Sequence, residues 1–432
     1  MRKIWRVRDP NIEVQKSFYS ELKISQITAQ LLSNRGINDP KEAGEFLACS
    51  LSSCHDPFLL KDMDKAVGRI RKAISDKERI LVYGDYDVDG MTSVAILKQA
   101  LTKLGATVET YIPNRLEEGY GLNTNAIKRA LKDGVSLIIT VDCGISSFKE
   151  IEYAKLSKID VIVTDHHEIV AKRLPQAYAI INPLQDSCKY PFKHLAGVGL
   201  AYKLAKALYD GTSFIAEDFL DLVSLGTIAD IVPLKGENRI LAKHGLDEIN
   251  RRQRVGIKAL TDLAGLSGKD VSSGHIGFIL GPRINAMGRV GSPEKALELL
   301  LTEDKEEATR LAKMLDTENR NRQKIESKIL EEALSKVERE VNFKHHKIIV
   351  LASEGWHAGV IGIVASRIAD RFHRPAILIS LDGKYGKGSG RSVERFNLFD
   401  VLIQCKDLLM GFGGHEGACG LTIDKDKVDE FR

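Results

Sequence analysis

The sequence lacks any cysteine spacing that describes a disulfide framework or a zinc ribbon. Its six cysteines (Cys49, Cys54, Cys143, Cys188, Cys405 and Cys419) are scattered through 432 residues with no C-x-x-C pair. A reducing compartment is the simpler setting for such thiols. No apolar run approaches the roughly 20 residues that a membrane span requires, and the opening stretch MRKIWRVRDPNIEV has no apolar signal core. A soluble, cytoplasmic protein with no membrane role is expected. There is little excess charge of either sign: 63 Lys and Arg against 59 Asp and Glu leave a formal +4. That balance permits a nucleic-acid partner but confines any basic surface to a local patch. Internal repeats and low-complexity tracts are lacking. No G-x-G-x-x-G follows the first strand pattern, which counts against a dinucleotide-binding dehydrogenase. At this length, two or three domains are expected.

What the sequence does have is the stretch RILVYGDYDVDGMTS, Arg79 to Ser93, in which an apolar run stops in three acids at alternate positions. If the chain is still extended as it leaves the strand, Asp85, Asp87 and Asp89 point to one side and converge on a small volume. Such a concentration of negative charge needs a cation. Gly90 follows, and Met91 to Leu104 has helical spacing. The acids therefore sit where a strand hands over to a helix, which is where open α/β sheets bind ligands.

Residues 1–60 read as a helical preface, and Asp62 to Asp76 as a basic amphipathic helix. Strand patterns at Thr107–Ile112, Ser136–Val141, Asp160–Thr164 and Ala177–Ile181 alternate with helices at Ala126–Lys132 and Phe148–Lys155. Continuous apolar strands between helices predict an α/β domain with a mostly parallel, doubly wound sheet covered on both faces. Helical patterns at Leu200–Tyr209 and Phe219–Leu225 lead into GTIADIVP, and the glycine-punctuated region Gly274–Gly291 reads as ordered loop with a short helix. Asp304 to Glu340, without Gly or Pro, predicts a long connecting helix. Beyond it, KIIVL at 347–351, AILIS at 376–380 and a glycine-rich finish at 411–420 describe a smaller α/β domain. The expected division is a preface at 1–60, a catalytic domain at 61–303, the connecting helix at 304–340 and a second domain at 341–432.

Asp85, Asp87, Asp89, Asp142, His166, His167 and Asp230 all follow predicted strands or apolar segments of the first domain, so one sheet edge can gather them. Carboxylates with imidazole suit Mn²⁺, Mg²⁺ or Zn²⁺, and this set has ligands enough for two ions with one carboxylate bridging. Two ions clamp a phosphodiester and assist both the attacking and the leaving oxygen, so hydrolysis of a phosphate ester is the expected chemistry. Each residue also has a bland reading. A single Asp after a strand is more often a helix cap or a turn residue. Asp142 taken alone carries both readings, and Asp230 could simply end a helix. Adjacent histidines point in different directions, so one of His166 and His167 can ligate while the other contacts a substrate phosphate. Asp165 can orient a ligating imidazole or cap the next segment.

The order of the motifs adds a resemblance. GDYDVDG at 84–90, VDCGI at 141–145, TDHHE at 164–168 and GTIADIVPL at 226–234 are followed by PRINAMGR at 282–289, EGWHAGVIGIVASR at 354–367, GSGRS at 388–392 and GGHEGACG at 413–420. With these the chain resembles the DHH phosphoesterase superfamily and, within it, the RecJ family of bacterial single-strand-specific exonucleases. The resemblance covers most of the chain. It implies a DHH domain holding two Mn²⁺ or Mg²⁺ ions and a smaller DHHA1 domain closing a nucleic-acid groove, joined by a long helix. It also implies that Asp85 and Asp87 serve one ion, that Asp89, His166 and Asp230 serve the other, that Asp142 lies between them, and that His167 faces the scissile phosphate. Many members of the superfamily have a histidine where Tyr83 stands here, and Asp85 takes its place in this reading.

From the later motifs the resemblance implies substrate contacts at Arg283, Asn285, Arg289, Trp356, His357, Ser389, Arg391 and His415, although glycine motifs also mark tight turns and a buried His or Trp is more often packing. Arg391 is favoured, because Gly388 and Gly390 let the backbone approach a phosphate on which a guanidinium can fork. A terminal-phosphate pocket there would explain an end-directed enzyme. The basic residues of the long helix, Arg310, Arg320, Arg322 and Lys324, read mostly as a solvated face. The implied function is a metal-dependent 5′ to 3′ exonuclease on single-stranded DNA, acting in repair and recombination, with a helicase or a single-strand-binding protein as candidate partners. The alternatives are a phosphoesterase of the same superfamily acting on short oligonucleotides or nucleotide phosphates, and a non-catalytic RecJ-like scaffold that binds DNA. RecJ proteins usually continue into an OB-type domain, so the chain is expected to be a catalytic core or a protein without that clamp.

Overall fold

A computed structural model of the chain describes residues 8–115, 118–169 and 172–432; positions 1–7 of the expected preface lie outside these. Two compact units are formed. The first runs to Tyr111 and then takes in Gly121–Lys258 and Gly268–Phe278; the second comprises Ile112–Tyr120, Ala259–Ser267 and Ile279–Arg432. The division thus falls ahead of the long helix, which belongs to the second unit. No helix among the described residues is long and apolar enough to cross a membrane, and all six cysteines are free thiols.

The first unit opens with α1 (Ile12–Leu22), α2 (Gln26–Asn34) and α3 (Pro40–Ala48), each started by a side-chain cap, from Asn11, Ser25 and Asp39. They enclose a small core of Phe18, Ala29, Leu32, Ile37 and Ala43. Then follow α4 (Met63–Ser75), β1 (Arg79–Gly84), α5 (Val88–Lys103), β2 (Thr107–Tyr111), α6 (Thr124–Lys132), β3 (Val135–Val141), α7 (Phe148–Leu156), β4 (Asp160–Thr164), β5 (Ala179–Ile181), α8 (Gly197–Tyr209), α9 (Leu220–Ala229) and α10 (Gly236–Arg251). The strands form one sheet in the order β2-β1-β3-β4-β5, parallel at every pairing. Strands covered on both faces must be apolar along their length, and β3 and β4 are buried at all but one position each. On one face Leu81, Tyr83, Ile138 and Val163 meet Ile127 of α6 and Ile151 of α7. Because all five strands run the same way, the segments after β1, β3 and β4 leave the sheet along one edge.

Helix α11 (Val255–Leu263) contributes residues to both units. After it come α12 (Ser273–His275), a π-helical turn at Ile276–Leu280, α13 (Gly281–Val290), α14 (Pro293–Leu301) and the 36-residue α15 (Lys305–Glu340). The second unit continues with β6 (Ile349–Glu354), α16 (Ile361–Phe372), β7 (Ala376–Asp382), β8 (Tyr385–Arg391), α17 (Leu398–Gln404), β9 (Leu409–His415) and β10 (Ala418–Asp424). Its sheet has the order β6-β7-β8-β10-β9, with β6 and β7 parallel and the other pairs antiparallel. Ile329 and Val337 of α15 and Val364 of α16 cover one face at Leu351 and Leu378. Leu398 and Leu402 of α17 cover the other at Ile377, Ile379 and Leu421.

Three local expectations change. Helix α5 begins at Val88, so Asp89 lies inside its first turn and not on extended chain. The region Gly274–Gly291 is helix almost throughout, not loop. The glycines at 388 and 390 lie in a strand, where added Cβ atoms would stand 2.7 Å from Leu421 and 2.5 Å from the Cys419 sulfur. Their small size makes room for Leu421 and Cys419 of the neighbouring strand.

Candidate metal centre

Five acids and two histidines of the first unit converge at the sheet edge. Asp85 follows β1 and is buried. Asp87 is the N-cap of α5, its Oδ1 accepting the Gly90 N–H at 3.0 Å. Gly90 is required here, since a Cβ would lie 2.5 Å from the Asp85 carbonyl oxygen. Asp142 follows β3 in the left-handed region, at φ 59°, a conformation that Asp tolerates better than most residues. His166 and His167 follow β4, their rings 4.5 Å apart and tilted by 60°. Asp230 is the C-cap of α9; it does end a helix, and its carboxylate still reaches the cluster.

Three overlapping groups have ligand atoms within 4.8 Å of one another: Asp85 with Asp87 and Asp142, Asp89 with His166 and Asp230, and Asp142 with His166 and His167. His166 Nε2 lies 3.2 Å from Asp142 Oδ1, 3.7 Å from Asp230 Oδ2 and 3.8 Å from Asp89 Oδ2.

The electrostatics favour a cation at this place. Burial, with the neighbouring carboxylates Asp230 and Asp87, holds Asp89 well above the usual carboxylate range, even though backbone N–H groups of Val198 and Gly197 pull the other way. Burial and the other four acids do the same to Asp142. Burial and Asp87 raise Asp230 to about 6. Burial and the charge of His167 lower His166 to about 4, so its imidazole is neutral at physiological pH. One ring nitrogen of His166 is engaged with the Leu195 backbone. Among the described residues Nε2 has no hydrogen-bond partner, and neither has the buried Asp230 Oδ2. A neutral nitrogen lone pair facing carboxylate oxygens needs a proton or a positive ion between them, and carboxylates with imidazole are a donor set that takes divalent ions. The residues therefore fit divalent cations.

His167 behaves in the opposite way. Burial disfavours its charged form, but the hydrogen bond and charge of Asp165 outweigh burial and raise it to about 9. Asp165 is buried, and its Oδ1 lies 2.7 Å from His167 Nδ1 and accepts the His167 backbone N–H at 3.0 Å. Its Oδ2 accepts the Ile145 N–H at 2.9 Å. Asp165 thus orients the imidazole of His167, not that of His166, the histidine expected to ligate.

The remaining candidates belong to the second unit. Trp356 is core, 4% exposed, with its indole N–H on Glu332 at 2.8 Å, in keeping with the packing reading of a buried Trp. Arg283 is held by Asp316 and the Ile279 carbonyl, which explains its presence without a substrate. Arg289 donates to the Gly359 carbonyl at 3.2 Å, and Asn285 lies half-buried on the same helix, α13. His357 and His415 each turn Nδ1 inward to accept a nearby glycine N–H. Arg391 donates to the Gly390 carbonyl and to Ser389 Oγ. Burial and the charge of Arg115 lower its pKa. Arg115 escaped the sequence reading, because one Arg in a polar loop carries no periodicity or motif. Of the basic residues on α15, Arg310 and Arg320 pair with Glu307 and Asp316, whereas Arg322 is buried with Asn319 and Glu326, which a solvated face does not describe.

Known proteins share these features. Residues 79–227 match the DHH family, N-terminal domain, and residues 345–432 match the DHHA1 domain. The single-stranded-DNA-specific exonuclease RecJ of Bacillus subtilis is 44% identical over 430 residues, covering 99% of this chain and 54% of that protein. RecJ of Dickeya dadantii is 40% identical over 424 residues, covering 93% of this chain and 73% of that protein. The crystal structure of RecJ from Thermus thermophilus in complex with Mn²⁺ matches at 33% identity and a TM-score of 0.85, over 98% of this chain and 60% of that one. The same Thermus protein with Mg²⁺ matches at a TM-score of 0.78 and 31% identity, over 98% of this chain and 58% of that one. The chain thus spans little more than half the length of the Bacillus relative.

Proposed function

Since the chain belongs to the RecJ family of DHH phosphoesterases, we propose that it is a metal-dependent 5′ to 3′ exonuclease that hydrolyses single-stranded DNA. The observation that carries this reading is the meeting of five carboxylates and two histidines within ligand distance at one sheet edge. Mn²⁺ or Mg²⁺ held there supplies the positive charge and Lewis acidity that an in-line displacement at phosphorus requires. Asp85, Asp87 and Asp142 would hold one ion and Asp89, His166 and Asp230 the other, with Asp142 directed toward both sets.

The side chains divide the remaining work. His167, kept protonated by Asp165, donates from Nε2 to an oxygen of the scissile phosphate and stabilises the charge that develops there. Water adds to phosphorus as the O3′ of the bond leaves, which frees a nucleotide and leaves a new 5′-phosphate on the shortened strand. Arg391, in a buried setting with a second guanidinium at Arg115 acting on it, suits that terminal phosphate, since two like charges brought together attract a dianion. A product that regenerates the recognised end supports end-directed, repeated cleavage. The uniformly free cysteines support a cytoplasmic setting, where a role in repair and recombination, beside a helicase or a single-strand-binding protein, is part of the proposal.

Digestion of end-labelled single strands with Mn²⁺ tests the reading. Label should be released from the 5′ end, and Asp142→Ala should reduce turnover at least 1,000-fold while leaving the circular dichroism unchanged. Persistence of full-length strand with metal-loaded wild-type protein would refute the proposal. A faster rate on very short strands than on long ones would identify an oligonucleotide phosphoesterase instead.

A further inference from the structure

The segment Leu195–Val198, at the start of α8, carries none of the acids or histidines of the centre and lies ahead of the helical pattern that begins at Leu200 in the sequence. In the fold it touches three of the candidate ligands. The Gly197 N–H donates to Asp89 Oδ2 and the Val198 N–H to Asp89 Oδ1, both at 2.7 Å. The Leu195 backbone engages the His166 ring. A Cβ at Gly197 would stand 2.7 Å from Asp142 Oδ1, 2.8 Å from its Cβ and 2.9 Å from its Cγ. A helix N-terminus presents N–H groups that are free to bind an anion, and here the anion is a carboxylate of the protein itself. Both oxygens of Asp89 are therefore fixed by backbone donors before any ion arrives.

We infer that Gly197 is a positioning residue for the metal centre: its lack of a side chain lets the α8 N-terminus clamp Asp89 while Asp142 occupies the space a Cβ would fill. The inference rests on the metal-binding reading of the site, and it makes a prediction opposite to that of helix propensity. Gly197 has no left-handed φ and lies in a helix, so Ala there should be neutral or stabilising by propensity alone. If Asp142 fills the space, Ala instead displaces one ligand and loosens the clamp on another.

The test is the Gly197→Ala variant of the full chain, titrated with Mn²⁺ alone by calorimetry and by electron paramagnetic resonance, without any nuclease assay. At least a tenfold loss of Mn²⁺ affinity is expected, with a changed resonance line shape. Gly386→Ala, which crowds Ile379 and Leu381 in the second unit, should lower Tm but leave Mn²⁺ affinity as it is. A double-mutant cycle on metal-free protein covers the case in which Gly197→Ala is poorly folded. Asp142→Gly removes all three crowding atoms and suits the φ of 59° at that position, so Gly197→Ala should lower Tm in the wild-type background and have almost no effect in Asp142→Gly. Wild-type Mn²⁺ affinity in Gly197→Ala, additive Tm losses in the cycle, or a double variant that does not fold would each overturn the inference. If wild-type protein binds no Mn²⁺, the metal-binding reading fails by itself, and the Tm cycle still decides whether Gly197 makes room for Asp142.

Discussion

The two histidines, adjacent in sequence, are driven to opposite protonation states by what lies behind them. For His167 the cause is Asp165, and the sign of the effect can be worked out. A histidine whose folded pKa is raised, here to about 9, contributes stability that is fully present below the unfolded value near 6.5 and is lost as pH rises through 9. Asp165→Asn keeps the shape and removes the charge. Burial, the largest influence on His167, is then opposed by the charges of Asp230 and Asp85 alone among the causes that remain, so the His167 titration followed by NMR of ¹³C-labelled histidine should fall well below 9. A titration still near 9 in the variant would assign the shift to some other group. Ile231, next to Asp230, presents a different residue-scale question: a β-branched side chain at φ 64° and 86% exposed. Left-handed backbone costs a non-glycine residue about 1–2 kcal/mol, and glycine forfeits roughly half of that gain through unfolded-state entropy. Ile231→Gly should therefore stabilise the protein by up to ~1 kcal/mol in denaturant unfolding, and a loss of stability would show that the exposed side chain has a contact to lose.

Helix α8 holds the centre at its first turn and is tied down at its middle. Lys203 is fully buried, its Nζ donating to the His55 carbonyl at 2.7 Å and to Glu237 Oε1 of α10 at 2.6 Å. The other Glu237 oxygen accepts the Tyr190 hydroxyl at 2.5 Å. Removing one partner leaves an uncompensated buried charge, so Lys203→Met should destabilise by about 3–5 kcal/mol, with Lys203→Met/Glu237→Met recovering most of it. Equal losses in the single and double variants, measured by denaturant unfolding, would show that the pair is not coupled. None of this was visible in the sequence, where Lys203 reads as one polar residue in a helix. What was legible followed from periodicity: β1, β3 and β4 are uninterrupted apolar runs, each ending in an Asp, and α15 is 36 residues with neither Gly nor Pro. The misread segments are those where glycine signals one structure and packing selects another. Gly277, Gly281 and Gly288 suggested loop but lie in helix. β8, β9 and β10 went unread as strands because glycine has poor β-propensity, and only the neighbouring Leu421 and Cys419 show why glycine is needed. Asp89 joins the cluster from a local geometry other than the extended one expected, since the helix starts three residues sooner than its apolar spacing indicated.

At the scale of the whole molecule, a chain with a formal charge of only +4 concentrates five carboxylates at one place, and that concentration should govern how its stability responds to pH. Asp89, Asp142 and Asp230 all have raised pKa values, so without an ion the folded state binds more protons than the unfolded chain over the interval from about 3.8 upward. Stability then falls as pH rises. For Asp230, whose side chain is 22% exposed, the rise from 3.8 to about 6 corresponds to about 3 kcal/mol at 1.36 kcal/mol per unit, lost across that interval and constant above it. Glu78 and Asp165, whose pKa values are lowered, run the other way, so the informative comparison is between wild type and Asp230→Asn. Metal-free Asp230→Asn should match wild type near pH 4 and exceed it by a few degrees in Tm at pH 7.5. Mn²⁺ should reverse the ranking: metal ligands must be deprotonated, and an ion at 100 times its Kd adds about 2.7 kcal/mol to the form that binds it. Thermal unfolding of both proteins from pH 4 to 8, with and without Mn²⁺, tests the balance directly. Wild type should gain Tm from Mn²⁺ increasingly as pH passes 6, while Asp230→Asn should gain little at any pH. A metal-free wild type more stable than Asp230→Asn at pH 7.5 would mean that Asp230 is compensated within the fold, and that no cation is needed to hold it ionised.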